Sequence, residues 1–148
     1  MADQLNNLLI TKTLSDIHSV VDLYKSFPKY KDLSQEQLFF YLQKPISLSQ
    51  SRIFYDNNQV VSFISWACFN KKTENHFKKT GEVLYWKGGN NIWIIDIVSK
   101  KDVREVIRYA KSYFSKIMDV GQRVNYLRMN EQNRIIKYSS QSNKAFYK

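Results

Sequence analysis

Trp86–Asp96, with the sequence WKGGNNIWIID, decides the fold because a glycine turn there leads into an apolar strand that carries one carboxylate. Apart from Asp96, the run 92–98 is β-branched and aromatic, long enough for one strand and too short for a membrane span. It predicts a central strand buried on both faces. A carboxylate in such a strand is costly unless it is paired, hydrogen-bonded or faces a cleft. Asp96 therefore either caps the next helix or accepts backbone N–H groups, or it is catalytic.

Length and composition predict one domain over residues 1–148. The 148 residues are 43% hydrophobic and 15% aromatic, which suits a chain with one core. Cys68 is the single cysteine, so we expect neither a disulfide framework nor a cysteine-based zinc site, and no other metal or bound cofactor. No secretory segment follows Met1 and no apolar run reaches a membrane-spanning length. We therefore expect a cytoplasmic protein without a transmembrane segment.

The net charge of +10 indicates an acidic partner or surface. The lysines are spread along the chain and form no arginine-rich arm of the kind that follows a nucleic-acid backbone. An acidic protein, an anionic membrane and nucleic acid are all compatible with this charge, and nucleic acid ranks last. A generally basic, solvated surface is the alternative to all three.

Hydrophobic spacing, caps and turn residues predict the order of helices and strands. The predicted segments are a short leader 1–10, helices from about Thr13 to Ser26 and from Ser34 to Pro45, a hairpin of Ser51–Tyr55 and Val60–Phe69, a polar helix over 70–79, a strand and turn broken by glycines, the central strand, a helix from Ser99 to Met118, strands Arg123–Met129 and Ile135–Tyr138, and a frayed tail 139–148. This order predicts an α/β (α+β) three-layer sandwich in which helices flank a mixed sheet. It is compatible with the GNAT acyltransferase fold, although a fold does not by itself give a function.

The segment after the central strand does not favour coenzyme A as the acyl donor. In a GNAT enzyme that uses coenzyme A, a glycine-rich loop presents backbone N–H groups to the pyrophosphate. Here that segment is Val98–Val103, VSKKDV, which contains no glycine. If the chain transfers an acyl group, we expect another carrier to bring it.

Several stretches share their residues and spacing with one family. They are Leu23-Tyr24 through Pro28, Ser65-Trp66-Ala67 after the hairpin, Glu74-Asn75, Trp86 followed by Trp93 and Asp96, and Leu127-Arg128-Met129. Together they resemble the RTX toxin-activating lysine acyltransferases, a divergent GNAT-like family, from about Val20 to Tyr138. The resemblance implies transfer of a fatty acyl group from acyl carrier protein to lysine side chains of a protoxin-like protein. A basic surface suits this donor because acyl carrier protein is acidic.

The resemblance also assigns candidate site residues. Asp96 matches the catalytic aspartate of the family, but Tyr30 stands where the family has its catalytic histidine, in Phe27-Pro28-Lys29-Tyr30. A phenol is a poor base at neutral pH, yet it can donate a proton to an oxyanion or a leaving thiolate. Three outcomes stay open: Tyr30 acts as the acid beside Asp96, His18 replaces the histidine, or catalysis is lost and binding kept.

The sequence also predicts substrate-binding residues and partners. Ser65, Trp66 and Trp93 are the predicted substrate-binding residues, although large aromatic residues on strands also commonly fill a core. The first function is a protein lysine acyltransferase whose partners are acyl carrier protein and a protein that bears acceptor lysines. The alternative is a catalytically silent relative that captures an acidic protein. A homodimer is compatible with either function.

Overall fold

A computed structural model describes residues 2–119, 122–129 and 135–142. Its elements, in chain order, are α1 Ala2–Lys25, a 3-10 turn Pro28–Tyr30, α2 Gln35–Ser47, β1 Ser51–Asp56, β2 Gln59–Phe69, α3 Lys71–Thr80, β3 Asn91–Ser99, α4 Arg104–Ile117, β4 Arg123–Met129 and β5 Ile135–Ser142. In the part of the chain so described, none of the helices has the length and apolar content needed to cross a bilayer.

The five strands of the described residues form one mixed sheet in the order β1-β2-β3-β4-β5. All neighbouring strands are antiparallel except β3 and β4, which are parallel and joined by α4. β3 is central, as the apolar run 92–98 predicts. β3 pairs with β4 only at 92–94, opposite 124–126. Beyond this point the two strands separate, so the edge of β3 over 95–99 is not paired with β4.

Helices cover both faces of the sheet. On one face, Phe63 and Val98 pack against α1 and α2, and Phe69 and Trp93 pack against α3. On the other face, a cluster around Ile64 packs against α4. The register explains this division because Phe63 lies opposite Val98, and directly opposite residues of antiparallel strands share a face. The three-layer sandwich with a mixed sheet is confirmed.

The first half of the chain is more helical than the sequence predicts. The sequence predicts a separate short leader over 1–10, but α1 begins at Ala2 and includes residues 2–10. Polar residues fit inside this helix because the Thr11 hydroxyl donates to the Asn7 carbonyl oxygen and the Ser19 hydroxyl to that of Ser15. The Ser34 capping box is confirmed, but α2 passes through Pro45 and ends at Ser47.

Three boundaries in the second half also differ from the sequence prediction. Between α3 and β3 the described chain has a single bridge, from Lys87 to Cys68, in place of a strand. α4 begins at Arg104, because the Ser99 hydroxyl bonds to Lys101 and the Asp102 carboxylate takes the first N–H of the helix. Residues 139–142 belong to β5, so they are not a tail, and 143–148 lie outside the described residues.

The Gly88-Gly89 turn fixes the entry into β3. The N–H groups of both glycines donate to the carbonyl oxygen of Cys68, at 3.1 Å each. A Cβ at Gly89 would overlap the backbone of Phe69 and Asn70, whereas a Cβ at Gly88 would meet open space. The close approach of two backbone segments, which Gly89 alone permits, therefore holds the turn against the end of β2.

We expect Gly89→Ala to lower the free energy of unfolding by about 2–3 kcal/mol, because the backbone atoms that it would overlap cannot rotate away. Gly88→Ala is the matched control and should stay within about 0.5 kcal/mol of the parent. Urea unfolding followed by circular dichroism measures both. Equal losses in the two variants would show that the packing against Phe69 is not the constraint.

Candidate active site

Asp96 lies within β3, on the face that packs against α1 and α2. One carboxylate oxygen, Oδ2, accepts hydrogen bonds from the Tyr24 hydroxyl of α1 at 2.9 Å and from the Tyr41 hydroxyl of α2 at 2.6 Å. At the start of α4, the Asp102 carboxylate and not Asp96 accepts the backbone N–H of Arg104. Two phenols thus satisfy the carboxylate, and the cap interpretation of Asp96 is wrong.

The surroundings of Asp96 change its acidity in opposite directions. Burial raises the pKa of the Asp96 carboxyl, while the hydrogen bonds from Tyr41 and Tyr24 and the positive charge of Lys29 lower it. The net shift of the pKa is upward. The ionised carboxyl is therefore a stronger base than an exposed aspartate would be.

Tyr30 lies beside Asp96 in the turn that follows α1. Pro28 begins this 3-10 turn, and the rings of Tyr24 and Tyr30 meet with their centroids 4.8 Å apart. Burial, and to a lesser extent the negative charge of Asp96, raise the pKa of Tyr30. The Tyr30 hydroxyl therefore stays protonated at neutral pH and is a hydrogen-bond donor. The structure brings together the two residues that the resemblance implies as catalytic.

Ser65 lies on β2 directly opposite Asp96 and on the same face of the sheet. The residue is 1% exposed, and its hydroxyl oxygen has no hydrogen-bond partner among the described residues. An unpaired buried hydroxyl costs about 1–3 kcal/mol. Native structures contain few such groups, and this one lies directly opposite the carboxylate of Asp96 in the sheet.

Trp66 and Trp93 occupy the core, in agreement with the alternative that the sequence left open. Trp66 lies on the opposite face of the sheet from Asp96, with its ring centroid 5.3 Å from that of Phe114 in α4. Trp93 is 2% exposed, and its indole N–H donates to a carboxylate oxygen of Glu74 at 2.8 Å. Among the described residues, Asp96 accepts side-chain hydrogen bonds from Tyr24 and Tyr41, and from neither indole.

His18 lies on an exposed part of α1, where its ring centroid is 5.3 Å from that of Phe39. Tyr24, which donates to Asp96, contacts the rings of Tyr30 and Phe63, whereas the ring of His18 contacts that of Phe39. The structure therefore brings Tyr30, and not His18, close to Asp96.

An open groove of about 540 Å³ adjoins this site. Tyr41 is shared between them, because its ring lines the groove and its hydroxyl reaches Asp96. The lining residues are Phe40, Tyr41, Thr80, Gly81, Glu82, Val83 and Trp86. Aromatic and aliphatic side chains dominate this lining, so the groove suits an apolar ligand.

The start of α4 lacks the free backbone N–H that a pyrophosphate site would offer at Arg104. The Asp102 carboxylate accepts the backbone N–H of Arg104 at 2.9 Å and its side-chain Nε–H at 2.7 Å. The chain's own carboxylate thus takes the N–H that a bound phosphate would otherwise take. Within residues 2–119, 122–129 and 135–142 there is also no group of three or more His, Cys, Asp and Glu side chains that could hold a metal ion.

Sequence reasoning missed Tyr24 and Tyr41 as part of the site. Their partner Asp96 is 72 and 55 residues away along the chain, respectively. Each tyrosine lies on a predicted amphipathic helix, where an aromatic residue is read as core. A buried carboxylate without a local partner was the available signal, because such a group needs donors from elsewhere in the fold.

Comparison with known proteins adds a family and a fold. A family model described as "HlyC: RTX toxin acyltransferase family" matches residues 11–139. The crystal structure of the loading GNATL domain of CurA from Lyngbya majuscula is similar, with a TM-score of 0.55 and 12% identity over 78% of this chain. This chain spans 61% of that one, and at this identity the likeness shows the fold alone. Comparison with curated protein sequences gives no match.

The buried carboxylate predicts a pH-dependent stability. Because folding raises the pKa of Asp96, the folded protein holds this proton more tightly than the unfolded chain does, and the carboxyl destabilises the fold as pH rises above its ordinary value of 3.8. An amide at this position stays neutral and still accepts from the phenols. We expect the free energy of unfolding of Asp96→Asn to exceed that of the parent at pH 7 and to approach it near pH 4.

Asp102→Asn is the control, because the charge of Asp102 should change the stability in the opposite direction as pH rises. Arg104 lowers the pKa of the exposed Asp102 carboxyl, so ionisation of Asp102 stabilises the fold above pH 3.8 and this stabilisation is lost as pH falls. Urea unfolding across the pH range measures both variants. A stability of Asp96→Asn below that of the parent at pH 7 would contradict the proposed cost of the buried charge.

Proposed function

The chain belongs to the RTX toxin acyltransferase family, whose model matches residues 11–139, and from this premise we propose that it transfers a fatty acyl group from acyl carrier protein to a lysine side chain of a protoxin-like protein. The family acts as acyltransferases in toxin activation; the donor, the acceptor group and a cytoplasmic location belong to the proposal. The observation that carries it is the pairing of a buried carboxylate, Asp96, with a protonated phenol, Tyr30.

Asp96 activates the acceptor. A lysine ε-ammonium has no lone pair and must lose a proton before it can attack a thioester. Tyr24 and Tyr41 both donate to Oδ2, which fixes the orientation of the carboxylate. The carboxylate binds the incoming ammonium and takes one proton from it, and its raised pKa favours this transfer.

Tyr30 stabilises the tetrahedral intermediate. The neutral amine attacks the thioester carbonyl carbon, a C–N bond forms, and the oxygen gains negative charge. The Tyr30 hydroxyl, which is protonated at neutral pH as a phenol ordinarily is, donates a hydrogen bond to this oxyanion. When the C–S bond breaks, the amine nitrogen loses its second proton and the thiolate leaves as a thiol. The products are an amide, the thiol of the carrier and one proton.

The donor approaches along the open edge of β3. Backbone groups over 95–99 are not paired with β4, so an extended chain of amides can lie along them. A donor carried by a protein needs no pyrophosphate loop, which suits the start of α4, where Asp102 takes the first N–H.

The acyl chain lies in the groove beside Tyr41. A thioester at Asp96 would reach this groove directly, because Tyr41 borders both. Phe40 and Trp86 give the groove apolar walls, and burial of each CH₂ group contributes about 0.8 kcal/mol.

The alternative function is that of a catalytically silent relative that binds an acidic protein. A relative that lost catalysis and kept binding would tolerate Tyr30 in place of the family histidine, and the net charge of +10 would still attract an acidic protein. Activity assays on variants of Tyr30 and Asp96 separate the two functions.

Intact-mass analysis of an acceptor protein, co-expressed in cells that supply acyl carrier protein, tests the proposal. We expect a fatty-acyl mass shift with the parent, and a rate at least about a hundredfold lower with Asp96→Asn, because the base is lost. Tyr30→Phe should lower the rate about ten- to a hundredfold through loss of the oxyanion donor. Tyr55→Phe is the matched control, because the exposed Tyr55 hydroxyl contacts Asp16 instead.

The silent-relative function predicts other results in the same assay. The parent would give no mass shift but would capture an acidic protein stably. Activity that appears only in Tyr30→His would favour this alternative and mark Tyr30 as the site of lost catalysis. Equal activity of the parent and Asp96→Asn would overturn the assigned role of the carboxylate.

The groove predicts a dependence on acyl length. Phe40 is 72% exposed, so Phe40→Ala should fold normally while removing one wall of the groove. We expect transfer of a long acyl group to fall about tenfold, and transfer of a short one to stay nearly unchanged. Tyr85→Ala is the control, because Tyr85 is similarly exposed but does not line the groove. If Phe40→Ala lowered the transfer of long and short acyl groups equally, the acyl chain would lie outside this groove.

A further inference from the structure

The outward side of α4 carries a row of cations. Arg104, Arg108 and Lys111 are spaced so that they lie one above another on one side of the helix, and all three are exposed. Val106 and Ala110, on the other side, are buried against the sheet. The row therefore faces away from the protein along more than one helical turn.

Arg52 of β1 adds a fourth cation to this row. Its guanidinium carbon lies 5.3 Å from the ring centroid of Tyr109, a residue of α4. Arg52 is opposite Ile64 in the sheet and therefore shares the face that α4 covers. We call Arg52, Arg104, Arg108 and Lys111 the α4 basic face.

Nearby acidic groups only partly offset this charge. The Asp102 carboxylate is bonded to Arg104, and Arg104 and Arg108 both lower its pKa. Glu105 is the acidic residue within the first turn of α4. Four basic side chains thus stand beside two acidic ones, and three of the four are arginines, whose planar guanidinium groups suit bidentate contacts with carboxylates.

The position of the α4 basic face connects it with the site. α4 follows β3 directly, and the edge of β3 over 95–99 is the part that β4 leaves unpaired. Asp96 belongs to this open part of β3. A partner on α4 is therefore placed beside the gap in the sheet that leads to the carboxylate.

We propose that the α4 basic face is the docking surface for the acidic carrier protein that brings the acyl group. The identity of this partner rests on the proposed function, but the surface itself rests on charge and position. Carboxylates of the carrier pair with the arginines, and the carrier's thioester arm enters between β3 and β4. α3 also carries lysines, such as Lys71 and Lys72, but it packs on the opposite face of the sheet.

Binding of a carrier protein labelled with a fluorophore on its phosphopantetheine thiol tests the proposal. Fluorescence anisotropy gives the dissociation constant for the parent and for Arg108→Glu/Lys111→Glu, which leaves the Asp102–Arg104 contact intact. We expect binding at least about tenfold weaker in this variant, because attraction becomes repulsion at two contacts. Arg108→Gln/Lys111→Gln should give an intermediate loss. Lys71→Glu/Lys72→Glu makes the same change in net charge on α3 and should stay within about twofold of the parent.

The outcomes separate this inference from the proposed function. Carrier binding that depends on α4 without any acyl transfer would support the docking surface and overturn the enzyme. Acyl transfer with equal binding losses in the α3 and α4 variants would support the enzyme and overturn the docking surface. Tighter binding of a labelled single-stranded oligonucleotide than of the carrier, lost in the α4 variant, would also overturn it, because the face would then serve nucleic acid. Thermal unfolding of each variant confirms that it folds.

Discussion

The need to satisfy one carboxylate inside an apolar strand organises this structure. A buried carboxylate without donors would cost more than a typical side-chain contact contributes. The donors come from two different helices, Tyr24 of α1 and Tyr41 of α2, so the same two hydrogen bonds attach both helices to β3. Beside the apolar core that packs these helices on the sheet, the same two hydrogen bonds therefore orient the candidate catalytic group.

The two faces of the sheet carry different parts of the proposed binding site. The α1 and α2 side holds Asp96, Tyr30 and the apolar groove, while the α4 side carries the arginines. The separation of β4 from β3 after residue 94 joins the two sides. An acyl donor that is bound to a protein needs a charged surface for the carrier and an apolar space for the acyl chain. Pairs of arginine and carboxylate are stable in water, whereas a fatty chain is stable away from water, so one face of the sheet cannot easily serve both.

Local signals in the sequence predicted those parts of the fold that local chemistry determines. The apolar run predicted β3, the Ser34 and Gln37 spacing predicted the cap of α2, and the apolar stripe predicted α4. The start of α1 was missed because its first turns expose leucines such as Leu5 and Leu8, so no buried face marks them as helical. For the site, Asp96 was visible as a charge in an apolar strand. Tyr24 and Tyr41 were not, because only the tertiary fold brings them to it.

Tyr30 limits the chemistry available to the proposed enzyme. A histidine can take a proton and return it near neutral pH, whereas a phenol whose pKa is raised by burial and by Asp96 only donates a hydrogen bond there. The task of accepting the proton from the acceptor amine then falls to Asp96. Burial helps by raising its pKa, and the two phenols keep the carboxylate in place without neutralising it. A carboxylate base paired with a phenol donor is thus a self-consistent replacement for a histidine and aspartate pair in the proposed reaction, in which the acceptor amine binds Asp96 directly.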